Sequence, residues 1–158
     1  MESMACSFTG HRRIAPEHRA SLPALVLRAI NYAYSEGCRD FLCGGAIGFD
    51  TVAAREVLRF RMTHPDVSLH LILPCTNQDA AWSVADRNSY AYLLSAADDV
   101  EYVADEYRDG CMRERNRRLA ERCDILVAYC ASGNSGTYQT VRMAERLGKR
   151  IYNLYNHV

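Results

Sequence analysis

Lysine is nearly missing from this chain, since 18 of its 19 basic residues are arginine and the exception is Lys149. The 19 acidic residues bring the formal net charge to zero, which argues against a protein whose whole surface binds polyanions or membranes. No stretch nears the roughly 20 apolar residues of a membrane helix, and residues 1–13 lack the apolar core of a secretion signal. We therefore expect a cytoplasmic protein with no membrane partner.

Paired cysteine spacing is also absent, because none of the seven cysteines belongs to a C-x-x-C motif. An odd number of cysteines with this spacing suits neither a zinc site nor a disulfide framework, so we expect reduced, mostly buried thiols, no metal and no cofactor. The length of 158 residues is that of one domain, and the 49% hydrophobic and 24% charged residues exclude disordered, collagenous and coiled-coil proteins. We predict a single domain over residues 1–158.

Apolar residues alternate between two spacings along the chain. Helical spacing predicts helices at residues 22–33, 50–62, 88–97, 111–122 and 136–147, and short apolar runs predict strands at 4–8, 41–43, 69–73, 100–103, 125–129 and 151–155. Alternating strands and helices require right-handed crossovers and a parallel sheet. The predicted fold class is α/β, a Rossmann-like doubly wound and mainly parallel sheet with helices on both faces.

Three glycine-containing loops, at residues 9–12, 44–50 and 132–137, follow predicted strands. In such a sheet these loops share one rim, and ligands bind where the strand order reverses. The last loop is the best phosphate candidate, because glycine lets the backbone approach a ligand and free N–H groups at a helix start attract anions. An alternative is a tight turn in which Ser135 only caps the helix. The candidate binding residues of this loop are Gly133, Asn134, Ser135, Gly136 and Thr137.

The other two loops contribute further candidates. Asp50 is suited to bind a ribose hydroxyl or to act as an acid or base, and the alternative is N-capping of the second helix. Arg12 is suited to hold a phosphate with two hydrogen bonds, and the alternative is a solvated loop arginine. The glycines of the second loop match a dinucleotide fingerprint only loosely. The remaining candidates of these loops are Gly10, His11, Gly44, Gly45 and Gly48.

The helix predicted at 111–122 places Arg115 and Asn116 on its buried stripe, which Met112, Leu119 and Cys123 define. A charged residue on the inward side must meet an anion or an acid. Arg115 is therefore a candidate phosphate ligand, and pairing with Asp124 or Glu121 is the alternative. The single tryptophan, Trp82, is suited to stack on a base or to pack in the core or a dimer interface.

Taken together, these residues resemble a known family. Residues 8–12 (FTGHR), 44–50 (GGAIGFD) and 132–137 (SGNSGT), Pro74 followed by Trp82, and the Arg115-Asn116 pair occur in order over nearly the whole chain. This combination is similar to the SLOG superfamily of Rossmann-like nucleotide-binding domains, most of all to its small YpsA-like members. The related DNA-processing protein A branch shares similar loops and an Arg-Asn pair, and it binds single-stranded DNA.

The related Lonely Guy branch consists of phosphoribohydrolases that cleave the base from a nucleoside monophosphate. Its motif Met-x-x-Arg-Lys resembles residues 112–116, which implies that Arg115 stands at the catalytic arginine while Asn116 replaces the lysine. Its Gly-Gly-x-Gly-Thr-x-x-Glu motif falls on residues 133–140, where Thr140 replaces the catalytic glutamate. Cleavage would then need another carboxylate, for which Asp50 is the first choice.

Three functions follow as hypotheses. The first is a domain that binds or senses a small nucleotide or nucleotide-sugar, with the phosphate on residues 133–137 assisted by Arg115. The second is a nucleotide N-glycosidase with Asp50 and Arg115 as catalytic residues. The third is single-stranded DNA binding along the arginines of residues 113–122, which the zero net charge disfavours. Ten tyrosines and one tryptophan exceed the needs of one small core, so we also expect a homo-oligomer.

Overall fold

A computed structural model describes residues 4–131, 133 and 135–158. Its six strands pair in parallel in the order β4-β3-β2-β1-β5-β6. The strands are β1 (Met4–Gly10), β2 (Cys38–Cys43), β3 (Ser68–Cys75), β4 (Asp99–Ala104), β5 (Ile125–Tyr129) and β6 (Arg150–Asn153). The helices are α1 (Leu22–Ser35), α2 (Phe49–Arg61), α3 (Val84–Ala96), α4 (Cys111–Arg122) and α5 (Gly136–Arg146).

The helices form two layers around the sheet, which confirms the predicted fold class. Helices α1, α2 and α3 bury their apolar sides in the main core on one face, and α4 and α5 close a smaller core with β5 on the other. All five residues of β5 are buried, as expected for a strand covered on both faces. The strand order reverses at β1, which pairs with both β2 and β5, so the ligand-binding rim of this fold lies at the end of β1.

Two elements begin or end away from their predicted limits because side chains cap them. Helix α3 begins at Val84 instead of residue 88, since the Ser83 hydroxyl accepts a hydrogen bond from the amide of Asp86 at 3.1 Å. Strand β6 ends at Asn153 instead of residue 155. There the Asn153 side chain accepts a hydrogen bond from the Tyr155 amide and starts a 3₁₀ turn.

The seven cysteines are all buried, as predicted. Within the described parts of the chain, no helix combines the length and the hydropathy that crossing a membrane requires. In the same residues, no group of three His, Cys, Asp or Glu side chains is arranged to hold a metal ion.

Candidate functional site

A cleft of about 260 Å³ opens at the rim where the strand order reverses. The loop after β1, the start of α2, the first turns of α4 and the start of α5 form its walls. Nine of the fifteen predicted site residues line it, and they come from all three glycine loops and from α4. We therefore treat this cleft as the candidate site.

Arg115 lies in the wall of the cleft with only 5% of its surface exposed, which confirms its predicted burial. Its Nη1 donates a hydrogen bond to the Gly44 carbonyl at 2.5 Å, and its Nε donates to Oδ1 of Asn116 at 2.8 Å. Both acceptors are neutral. Burial lowers the pKa of Arg115, and the Asp50 carboxylate partly opposes that shift.

The alternative pairing of Arg115 with Asp124 or Glu121 is wrong. The Glu121 carboxylate accepts a hydrogen bond from Arg117 at 2.8 Å. The Asp124 carboxylate accepts one from the Ala5 amide at 2.9 Å. Both acids are thus engaged with other groups, and Arg115 faces the cleft.

Asp50 is the second residue of α2 and is 5% exposed. The N-cap of α2 is Gly48, so the alternative in which Asp50 caps the helix is wrong. Its Oδ2 accepts a hydrogen bond from the Ala46 amide at 3.1 Å, whereas Oδ1 is buried without a hydrogen-bond partner among the described residues. Burial raises the pKa of Asp50 to about 6, although Arg115, the Ala46 amide and Arg12 favour the ionised form.

The predicted glycines of the second loop support the site from behind instead of lining it. A Cβ at Gly44 would lie 2.7 Å from Nη1 of Arg115 and 3.0 Å from Oδ2 of Asp50, so glycine lets these charged groups close over the backbone. A Cβ at Gly48 would overlap the carbonyl group of Arg12. Gly45 packs away from the cleft, where a Cβ would meet Leu73.

The loop after β1 contributes Gly10, His11 and Arg12 to the cleft. Nε2 of His11 accepts a hydrogen bond from the Ala131 amide at 2.7 Å, so the neutral ring carries its proton on Nδ1. Burial lowers the pKa of His11, which favours this neutral form. His11 thereby ties the loop after β1 to the chain that leaves β5. Arg12 is exposed and makes no hydrogen bond or salt bridge with the described residues.

The start of α5 lies on the opposite side of the cleft through Ser135, Gly136 and Thr137. The Ser135 hydroxyl accepts a hydrogen bond from the Tyr138 amide at 3.0 Å, so Ser135 caps the helix and also lines the cleft. Nδ2 of Asn116 lies 3.8 Å from the Cβ position of Gly136. The side chain of Asn116, which accepts the hydrogen bond from Arg115, therefore lies close to the start of α5.

Two further predicted residues are placed elsewhere, and a third is not described. Trp82 packs against Tyr90 with ring centroids 5.2 Å apart and does not line the cleft. Gly133 is exposed outside the lining. Asn134 lies outside the described residues. Thr140, at the position of the Lonely Guy glutamate, is fully buried, and its hydroxyl donates to the Gly136 carbonyl at 3.0 Å.

The sequence did not identify Ala46 and Ala131 as contributors to the site. Both act through backbone amides, one on Asp50 and one on His11. Their methyl side chains carry no signal of that role. A position of this kind becomes visible only when the loops are folded.

A larger groove of about 420 Å³ lies over β2, β3 and β4. Its Arg122 is engaged with Glu101 at 2.8 Å, and its His70 lies between Asp40 and Asp99 at 3.4 and 3.6 Å. The arginine of this groove is thus paired with a carboxylate, whereas the rim cleft holds a buried guanidinium on neutral acceptors. We therefore keep the rim cleft as the candidate site despite its smaller volume.

Asp50→Asn is expected to stabilise the free protein above pH 6. The folded state raises the pKa of this carboxyl from the ordinary value of 3.8 to about 6, so it binds the proton more tightly than the unfolded chain does. The free energy of unfolding therefore falls as pH rises between these values, by up to about 3 kcal/mol. Denaturant unfolding should show the variant about 1–3 kcal/mol more stable at pH 7.5, with the difference near zero at pH 4.

Asp98→Asn is the matched control for this prediction. Burial opposes ionisation of Asp98, but hydrogen bonds from the Leu69 amide and from Arg61 outweigh it and lower the pKa, so ionisation of this group stabilises the fold above pH 4. The control variant should therefore lose stability at pH 7.5. Equal effects of the two substitutions would contradict the environment assigned to Asp50.

Comparison with known proteins places these features in a family. The model of the YspA SLOG family matches residues 17–155. A UPF0398 protein of Halalkalibacterium halodurans is 33% identical over 97 residues, covering 60% of this chain and 51% of that protein. The prophage-derived protein YoqJ of Bacillus subtilis is 26% identical over 129 residues, covering 73% of this chain and 75% of that protein. The chain thus spans about half the length of the first relative.

Two solved structures share the fold. DNA processing protein A from Helicobacter pylori, described for its single-stranded DNA binding mode, superimposes with a TM-score of 0.66 and 18% identity over 94% of this chain and 64% of that one. The protein of that name from Streptococcus pneumoniae gives a TM-score of 0.68 and 16% identity over 96% and 50%. Since the family model covers most of the sequence, this chain belongs to the YspA SLOG family.

Proposed function

We propose that the rim cleft binds the phosphate group of a nucleotide. The observation that carries this proposal is the state of Arg115, which is buried while its hydrogen bonds go to neutral oxygens. Burying a guanidinium is costly unless an anion compensates it. Among the described residues that line the cleft, Asp50 is the one carboxylate, and Arg12 adds a second guanidinium. These two arginines and one carboxylate leave the lining with a net positive charge, which favours an anionic ligand.

The surrounding groups suit a phosphate in particular. The start of α5 lines the same cleft with Ser135, Gly136 and Thr137, and the positive end of a helix dipole attracts anions. Nδ2 of Asn116 adds a neutral donor beside it. Arg12 is exposed and has no hydrogen bond or salt bridge within the part of the chain that the structure describes, so it can close over a bound anion with two parallel hydrogen bonds. The oxygens of one phosphate group can accept hydrogen bonds from several of these donors at the same time.

Binding is favoured over hydrolysis by the side chains available. Cleavage of an N-glycosidic bond needs a carboxylate to stabilise charge on the ribose. Thr140 cannot supply one and is bonded to its own helix. Only Asp50 remains for that role within the described lining, and it is also the partner that compensates Arg115.

Calorimetric titration of a nucleotide panel tests the proposal. The panel contains the four ribonucleoside 5′-monophosphates, cyclic AMP, ADP-ribose and inorganic phosphate, and base release is followed in parallel by chromatography. We expect one class of nucleotide to bind with a Kd between about 1 μM and 1 mM and no release of base. Absence of heat from every compound at millimolar concentration would overturn the proposal, and steady base release that Asp50→Asn abolishes would favour the N-glycosidase.

Single-stranded DNA is a second candidate, supported by the likeness to DNA processing protein A and by a basic groove. The groove has about 360 Å³ between α4 and α5, beside the cleft, and is lined by Arg113, Arg142, Arg146 and Tyr138. Of these arginines, Arg142 is paired with Glu145. The rest of the predicted strip is neutralised, because Arg117, Arg118 and Arg122 are bound by Glu114, Glu121 and Glu101.

Replacing Arg113 and Arg146 together by glutamate tests this candidate. If a strand follows the groove, the affinity for oligo-dT should fall at least tenfold, and the slope of log K against log salt should decrease by about 1–2. Arg59→Glu, on α2 across the sheet and 75% exposed, is the charge control and should change neither. Unchanged binding of the DNA by the double variant would remove the groove from consideration.

A further inference from the structure

Only one of the two carboxylate oxygens of Asp50 accepts a hydrogen bond from the described residues. Oδ2 accepts the hydrogen bond of the Ala46 amide, and Oδ1 accepts none from the described residues although it is buried. A buried acceptor without a donor costs about 1–3 kcal/mol. Buried polar atoms of this kind are rare in folded proteins, and one in the lining of a ligand cleft is suited to accept a hydrogen bond from the ligand.

The chemistry of that donor follows from the neighbours of Asp50. A phosphate held by Arg115 and Arg12 cannot itself approach the carboxylate, because two anions repel each other. The ligand group beside Oδ1 must therefore be a neutral donor, and it must lie close to the phosphate. In a nucleoside 5′-phosphate the nearest O–H donors are the ribose hydroxyls. The volume of about 260 Å³ is below the usual range of a complete ligand pocket, so it suits the phosphate and the sugar with the base at the mouth.

Resting on the nucleotide-binding function proposed above, we infer that the cleft selects nucleotides with a free ribose hydroxyl, which donates a hydrogen bond to Oδ1 of Asp50. Arg12 lies in the same lining as Asp50 and has no hydrogen bond to hold it in place among the described residues, so it is free to turn toward the phosphate and leave room for the hydroxyl. One oxygen is available, so one hydroxyl is recognised. Nucleotides inside a DNA strand lack any free hydroxyl and do not satisfy this contact.

Sugar-modified monophosphates test the inference directly. Each of the adenosine, guanosine, cytidine and uridine 5′-monophosphates is titrated by calorimetry beside its 2′-deoxy, 3′-deoxy and 2′,3′-dideoxy forms. We expect one monodeoxy form and the dideoxy form to bind about 10–100-fold more weakly than the ribonucleotide, the range of a hydrogen bond to a charged acceptor. In Asp50→Asn, which lacks the charged acceptor, the difference should shrink to about threefold or less.

The outcomes separate the two proposals. If all four sugars bind the wild-type protein equally, the hydroxyl contact is wrong while the nucleotide-binding function stands. If neither the nucleotides nor inorganic phosphate bind, both are wrong. Asp50→Asn is expected to fold, and circular dichroism checks this. The wild-type series decides the question even if the variant does not fold.

Discussion

Arg115→Gln should lower nucleotide affinity at least 100-fold, the largest loss from any single change that leaves the backbone of the site intact. A charge-assisted bidentate contact to phosphate in a buried site is worth about 3 kcal/mol. Glutamine removes the charge and cannot donate two parallel hydrogen bonds to the phosphate. Arg115→Lys keeps the charge but loses the donors to the Gly44 carbonyl and Asn116, so an intermediate loss of about tenfold is expected.

The matched control for this prediction is Arg118→Gln, three residues further along α4. Arg118 bonds to Glu101 and Glu114 outside the cleft, so its replacement should leave nucleotide affinity within about twofold. Calorimetry measures the affinities, and thermal unfolding verifies that each variant is folded at the titration temperature. A folded Arg115→Gln protein that binds as tightly as the wild type would show that the phosphate lies elsewhere.

Loss of Arg115 should also change the ionisation of Asp50. The guanidinium is the main charge that favours the ionised carboxylate, so its removal raises the pKa of Asp50 above the value of about 6. The two residues therefore act as one unit. Asp50 lowers the cost of burying Arg115, and Arg115 keeps Asp50 largely ionised at neutral pH, so effects of single substitutions at these positions are not additive.

Local sequence patterns predict the fold well because they record burial directly. The unbroken apolar run of β5 and the stripe of α4 follow from contact with the sheet, and the inward position of Arg115 follows from the same helical period. Capping side chains follow no regular spacing in the sequence. For this reason the start of α3 and the end of β6 differ from the prediction. The rule that the loops after parallel strands share one rim adds the grouping of the glycine loops.

The site itself depends on contacts between segments distant in sequence, and these could not be predicted. The pairing of Arg115 with the Gly44 carbonyl joins residues 71 positions apart, and that of His11 with the Ala131 amide joins residues 120 apart. Asp50 illustrates the same limit. Its position near a helix start is compatible with capping, and only the three-dimensional placement of Gly48 and Ala46 shows that it faces the cleft.

Gly48→Ala should prevent folding or cost more than about 4 kcal/mol, the largest effect on stability expected in this chain. Gly48 has φ +82° and ψ −124°, a conformation open to glycine and costly for other residues. An added Cβ would overlap the carbonyl group of Arg12, which is backbone and cannot rotate away. Conformational strain and the steric clash therefore both reduce the free energy of unfolding, and together they exceed the loss that a single substitution usually causes.

Gly110→Ala separates the two contributions. Gly110 is the N-cap of α4, with φ +86°. Apart from its two chain neighbours, no described residue has an atom within 4 Å of the Cβ position, so its substitution measures left-handed strain alone. We expect a loss of about 1–2 kcal/mol there, a decrease in Tm of roughly 2–8 °C, against a decrease above 10 °C or insolubility for Gly48→Ala. Similar losses in both variants would mean that the loop after β1 yields to the new methyl group. In that case Arg12 would move with it, and the same Gly48→Ala protein should bind nucleotides more weakly, because the contact that limits its stability also fixes the backbone of a phosphate ligand.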